Sequence, residues 1–202
     1  RGHNPEWVAA GARRFIEANR HRPFFLYMAL TLPHGGYNAR WLREADPLAT
    51  TAGMLETLPD SGMPSRAEIF RQVREAGLDE RLAMGTWLDA SVGAVLERLD
   101  DLGLTEDTLF LFVSDHQGRG KYTCYESARV PAVAHWPGRI AAGRRLDSLC
   151  ANLDVAATLL ELAGGERPAD MGDGRSFLPL LLGQPEPAGW REALLLEVGN
   201  TR

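Results

Sequence analysis

Two nearly unbroken apolar runs constrain this chain more than any other feature: Phe24-Phe25-Leu26-Tyr27-Met28-Ala29-Leu30-Thr31-Leu32, and Thr108-Leu109-Phe110-Leu111-Phe112-Val113. Runs of this length, rich in aromatic and branched residues and stopped abruptly by polar ones, read as strands covered on both faces, the pattern of a parallel sheet. The longer run is far short of the ~20 residues that a membrane-spanning helix needs. With 45% hydrophobic and 24% charged residues the chain can surround such strands with a core.

Between and around the runs, the periodicity turns helical. Asn4-Pro5-Glu6 has the form of a cap followed by proline at the first helical position, and Val8, Ala12, Phe15 and Ile16 then repeat on one face up to about Asn19. A further helix is expected over Arg66 to Glu75, broken at Gly77. Asp79 is expected to cap a long helix whose apolar side carries Leu88, Val92, Val95, Leu96 and Leu99, and Gly103 to end it. Ala132 to His135 reads as a short strand before the Trp136-Pro137-Gly138 turn. Asp154 reads as the cap of a helix through Ala163, and Ala193 to Val198 as a last strand. Residues 37–65 hold scattered prolines, glycines and charges, a long irregular excursion of the kind that is usually functional or mobile. The fold class implied is α/β, with a mostly parallel central sheet flanked by helices.

Both long apolar runs end in chemistry: the first in Leu32-Pro33-His34, the second in Ser114-Asp115-His116. Ligands of open α/β sheets bind outside the carboxyl ends of the strands, so two polar clusters at such ends have a reason to meet. Asp115 offers a carboxylate and His116 an imidazole to a divalent cation, provided that the chain bends between them; in an extended segment they would point to opposite sides. Gly118 and Gly120 suit such a bend, and Lys121 supplies a cation for an anionic group. His34 suits hydrogen-bond donation to an ester oxygen or general-acid work. Each has a plainer reading: the aspartate as a turn former, the lysine as a solvated residue, Glu126 and Arg129 as a local ion pair.

The formal net charge of −5 gives no basic footprint for nucleic acid. Cys124 and Cys150 make no disulfide framework, so the compartment stays open. The chain opens Arg1-Gly2-His3-Asn4, with neither a methionine nor an apolar leader, and is expected to have been cut from something longer.

In order along the chain, "RPFFLYMALTLPHGGYN", "LDASVGAVLERLDDLGLTEDTLFLFVSDH", "GKYTCYESARVPAVAHWPGRI", "NLDVAATLLELAGG" and "DGRSFLPLLLG" together resemble the sulfatase family of the alkaline-phosphatase-like superfamily. The resemblance implies an α/β sandwich, here incomplete, and hydrolysis of sulfate monoesters at a divalent cation, usually calcium, with manganese or magnesium left open by the histidine ligand. It implies Asp115 and His116 as metal ligands, Lys121 on the sulfate oxygens, His34 on the sulfate or the leaving oxygen, and Tyr125, Glu126 and Arg129 as keepers of the loop's shape. It makes 1–202 a partial catalytic domain, with a C-terminal subdomain starting after about 165.

Several departures stand out. Gln117 occupies a position where the family very often has glycine, and the interval from His116 to Lys121 is short. The family's nucleophile is a formylglycine made from the first residue of Cys/Ser-x-Pro-x-Arg. Neither Cys124-Tyr125-Glu126 nor Cys150-Ala151-Asn152 fits, and Gly62-Met63-Pro64-Ser65-Arg66 has glycine at the reacting position. No nucleophile is therefore assigned in this chain, and the formylglycine is expected upstream of it, as are the family's paired aspartates. The expected partner is a small-molecule or glycan sulfate ester, with no membrane span and an open oligomeric state. The alternatives are a phosphate or phosphonate ester hydrolase of the same superfamily, a non-catalytic binding homologue, and a plain α/β domain without a metal site.

Overall fold

Asn4 caps the first helix: its Oδ1 accepts the Trp7 N–H at 2.8 Å, and its Nδ2 donates to the carbonyls of Pro47 (2.7 Å) and Ala49 (3.0 Å). In the computed structural model, which describes residues 4–34, 39–117 and 125–197, the elements of the first half are α1 (Pro5–Asn19), α2 (Arg40–Glu44), β1 (Ala49–Thr50), β2 (Gly53–Met54), α3 (Arg66–Glu75) and α4 (Ala83–Asp101). The second half holds β3 (Phe110–Val113), α5 (Tyr125–Ala128), β4 (Ala132–His135), α6 (Leu153–Leu162) and α7 (Leu178–Leu181). The chain divides into two compact units, Arg1–Thr105 and Glu106–Arg202.

The first unit is built on α1, α3 and α4. Alanines 9, 10 and 12 of α1 are buried with Ile16, and these small residues let α1 lie close against α4. The buried stripe of α4 runs through Met84, Trp87, Ser91, Ala94, Val95 and Leu99. Leu88, Val92 and Leu96, expected on the apolar side, are half-buried, and Leu88 packs against the core cluster from its edge. Trp87 is fully buried; the Phe70 ring meets it edge-on at 5.9 Å, and the Arg66 guanidinium lies 5.4 Å from its centroid. The indole Nε1 is buried without a partner. Trp87→Phe is therefore expected to lower stability by no more than about 1.5 kcal/mol in denaturant unfolding, since no hydrogen bond is lost with the indole N–H.

Gly77 and Gly103 end α3 and α4 with positive φ of 67° and 66°. Each makes a Schellman closure: Gly77 and Leu78 donate to Arg74 and Val73, and Gly103 and Leu104 donate to Asp100 and Leu99. Asp79 caps a short 3-10 turn, Glu80–Leu82, which leads into α4 rather than starting it directly.

The described part of the excursion, 39–65, is less irregular than expected. Leu42 of α2 is fully buried, β1 and β2 form a small antiparallel hairpin, and Arg66 donates to the carbonyls of Leu42 (3.1 Å) and Ala45 (2.7 Å) while pairing with Glu6 at 2.8 Å. The carbonyls of Leu42, Ala45, Pro47 and Ala49 are thereby satisfied by Asn4 and Arg66.

Phe24–Leu32 is extended with alternating exposure, Leu32 buried and Tyr27 80% exposed, yet no ladder pairs it among the described residues. The expectation of a strand covered on both faces is corrected for this segment. It is corrected too for β3, whose residues are half-buried or exposed because one face packs and one neighbouring strand pairs. That neighbour is β4, antiparallel in the register Phe110↔His135 to Val113↔Ala132. Both ladders among the described residues are antiparallel, so the mostly parallel sheet is not seen in them. Ala193 to Glu197 form no strand, and Leu195 is 90% exposed; Val198 lies outside the described residues. The second unit's core gathers Phe177, Leu180, Leu181 and Trp190 against Leu109, Leu111, Ala134 and Val155. The architecture is mixed helix and sheet.

Candidate active site

The end of β3 is where the chain bends. Ser114 N–H extends the ladder by donating to Pro131 O at 3.3 Å, and Ser114 Oγ then turns back to donate to His116 O at 3.0 Å. This bend brings Asp115 Oδ2 and His116 Nε2, which a straight strand would separate, to 3.3 Å. His116 Nδ1 lies 2.8 Å from Gln117 O, and since a carbonyl only accepts, Nδ1 carries the proton. In the neutral imidazole the lone pair is then on Nε2, facing a carboxylate oxygen. Two acceptors so close require a proton or a cation to satisfy both. Two donors 3.3 Å apart also suit neighbouring corners of one coordination shell, in which bonds to oxygen run about 2.3–2.6 Å. The residues present thus fit a divalent cation as a two-donor portion of its shell. Among the described residues no group of three or more His, Cys, Asp or Glu forms a metal cluster.

Stability does not account for this arrangement. The Asp115 side chain is 84% exposed, and ion pairs that wet contribute about 0–1 kcal/mol.

Gln117 holds the next step of the path. Its N–H donates to Ser127 O at 3.3 Å and its Nε2 to Arg129 O, tying the strand end to α5. A glycine would make only the first of these bonds. Arg129 N–H closes α5 on Tyr125 O at 2.9 Å, and its guanidinium sits 5.9 Å from the Tyr125 ring, whereas no ion pair joins Glu126 to Arg129 among the described residues.

His34 belongs to the first unit. The Leu32–Pro33 peptide is cis, His34 N–H donates to Thr31 O at 2.9 Å, and the side chain is exposed where the extended segment turns. Lys121, with Gly118, Gly120 and Cys124, lies outside the described residues. The structure therefore brings Asp115 and His116 together within the second unit.

Two residues were misread or overlooked in the sequence. Asn152 precedes α6, but its side chain makes no cap; its Nδ2 donates instead to Ser114 O at 2.9 Å. Asp154 is not the cap of α6 but a fully buried anion inside its first turn. Its carboxylate accepts the N–H groups of Ala151 (2.7 Å) and Arg175 (2.8 Å) and a two-pronged contact from Arg191, whose Nη2 is 2.6 Å from Oδ1. An acidic residue opening an apolar helix is the available signal, and it does not distinguish a cap from a buried anion.

Cys150 is exposed and its thiol is pushed up, first by partial desolvation and then by the Asp154 carboxylate. That is the opposite of an activated thiolate. Concavities of about 390 and 470 Å³ in the second unit share Arg167 in their linings, and neither is lined by Asp115 or His116.

The Sulfatase family model matches residues 2–165. The ulvan-active sulfatase of Formosa agariphila is 32% identical over 170 residues, covering 82% of this chain and 31% of that protein. The N-acetylgalactosamine-6-sulfatase of Canis lupus familiaris is 34% identical over 180 residues, covering 80% of this chain and 29% of the relative. The chain thus spans about a third of the length of these curated relatives. A solved structure, BT4656 in complex with its substrate D-glucosamine-2-N,6-O-disulfate, superposes with a TM-score of 0.66 over 95% of this chain and 55% of its own, at 20% identity, a likeness of fold. With the Asp115–His116 bend in place at the end of β3 and the match running over most of the length, the chain belongs to the sulfatase family.

Proposed function

We propose that this chain is part of a sulfuric ester hydrolase, within one catalytic domain that includes residues 1–202, and that it cleaves sulfate monoesters of a glycan or small molecule. The observation that carries the reading is the 3.3 Å approach of Asp115 Oδ2 to His116 Nε2, with the imidazole's other nitrogen committed to Gln117 O. Asp115 and His116 hold a divalent cation, calcium by family habit, with manganese or magnesium compatible with the imidazole. When bound, the cation supplies positive charge against the sulfate oxygens. Lys121 adds a second positive charge to those oxygens, and His34 presents an N–H to the ester oxygen that takes up the electron pair as the S–O bond breaks. The remaining cation ligands and the formylglycine come from a preceding segment of a longer polypeptide. The fold we infer for that polypeptide is the alkaline-phosphatase-like sandwich with a mostly parallel central sheet. Among the described residues no helix is long and apolar enough to cross a membrane.

The test is hydrolysis of 4-nitrophenyl sulfate, 4-nitrophenyl phosphate and a panel of sulfated sugars by the full-length protein, with and without a chelator. Chelator-sensitive turnover favouring the sulfate is expected, and none by the 202-residue chain alone. Preference for the phosphate would move the assignment to the phosphate-hydrolysing branch of the superfamily. No turnover by folded full-length protein would mark a non-catalytic homologue.

A further inference from the structure

We infer that Asn152 is a positioning residue for the Asp115–His116 bend, and that the buried Asp154–Arg191 pair exists to present it. An asparagine at the cap of a helix ordinarily turns its Oδ1 to the N–H groups of the first turn. Asn152 does not; its side chain reaches 38 residues back along the chain and donates to the Ser114 carbonyl. That carbonyl belongs to the peptide that carries the Asp115 amide, so the bond sets the plane from which the next two side chains depart. From the other side, Ser114 N–H is held by Pro131 O, and His116 O by Ser114 Oγ. The bend is thereby restrained on both flanks.

Asn152 is itself held from beneath. Asp154 reaches back to the Ala151 N–H, and Asp154 N–H donates to Ala151 O at 2.9 Å, closing the 151–154 turn on which Asn152 rides. The carboxylate doing this is anchored by Arg191, which also donates to Asp173 O at 3.0 Å, and by the Arg175 N–H. A charge pair whose carboxylate is fully buried is a rigid base for one exposed amide. The tie to Ser114 is exposed, so it contributes little to stability, and its effect falls on geometry.

This inference rests on the proposed reading of Asp115 and His116 as cation ligands. The experiment uses cation-stripped full-length protein, native and as Asn152→Ala and Asn152→Gln. Calcium chloride, and manganese chloride in parallel, is titrated in a calorimeter, and the thermal midpoint is measured without cation. Partners that orient metal ligands typically change metal affinity 10–100-fold. Asn152→Ala is expected to weaken cation binding by roughly that factor with an unchanged cation-free midpoint, and Asn152→Gln, which keeps an amide donor, to recover most of it. Native affinity in Asn152→Ala overturns the inference and leaves the reading of the ligands standing. A midpoint that falls together with the affinity marks a merely structural tie and overturns it too. Native protein that takes up neither cation overturns both.

Discussion

Asp115→Ala in the full-length protein is expected to lower kcat/KM for a sulfate ester by at least about a thousandfold, roughly 4 kcal/mol of transition-state stabilisation. The thermal midpoint of the cation-free protein should stay where it was. The two halves of this result come from one geometry. An exposed carboxylate 3.3 Å from an imidazole gives the fold almost nothing, since water screens the pair. As a cation ligand the same oxygen would be worth far more, because losing it removes both a bond and a negative charge. His116→Ala should behave likewise. Asp115→Asn, which keeps an oxygen and loses the charge, should fall between. Measuring the rate and the unfolding midpoint on the same preparations checks the prediction; a rate loss that tracks a loss of stability would contradict it.

Asp154→Asn is expected to have the opposite profile, destabilising the protein by about 3–5 kcal/mol in denaturant unfolding. The Asp154 side chain is wholly buried and that of Arg191 is 6% exposed. Removing the carboxylate's charge leaves the guanidinium desolvated and unpaired, and the new amide turns N–H groups towards donors. Replacing both partners, Asp154→Leu with Arg191→Met, should cost less than the two single changes added together, because no charge is then stranded.

The pH dependence follows from the same pair. Burial alone would raise the Asp154 carboxyl; the Arg191 guanidinium, with the N–H groups of Arg175 and Ala151, overrides it and holds the group below the ordinary aspartate value. A depressed folded pKa means that the unfolded chain binds the proton more readily. The pair's contribution is therefore fully present at neutral pH, and is lost as pH falls from the unfolded value of about 3.9 through the lower folded value. Asp154→Asn should lack that acid-side loss, which unfolding curves collected down the pH scale would show.

How much of this was legible beforehand depended on distance along the chain. The start of α1 at Asn4-Pro5, the ends of α3 and α4 at Gly77 and Gly103, and β4 over Ala132–His135 stood where the sequence put them. Caps, prolines and glycines act within one turn, so a few neighbouring residues carry the whole signal. The bend that unites Asp115 and His116 was expected from Gly118 and Gly120, which lie outside the described residues; among the described residues Ser114 Oγ and the Gln117 carbonyl close it.

What the chain alone determined about this protein is therefore its family, most of its helices, and the polar pair at the end of β3. Only tertiary structure decided that Arg66 would serve Glu6 and two carbonyls of the excursion, that Asp154 would meet Arg191 and not cap its helix, and that Asn152 would reach Ser114. Those partners lie 21 to 60 residues apart, and a side chain's choice between a local cap and a distant one turns on which surfaces folding brings against it. The apolar run Phe24–Leu32 shows the same limit: composition makes it strand-like, but a strand exists only where another backbone supplies its hydrogen bonds.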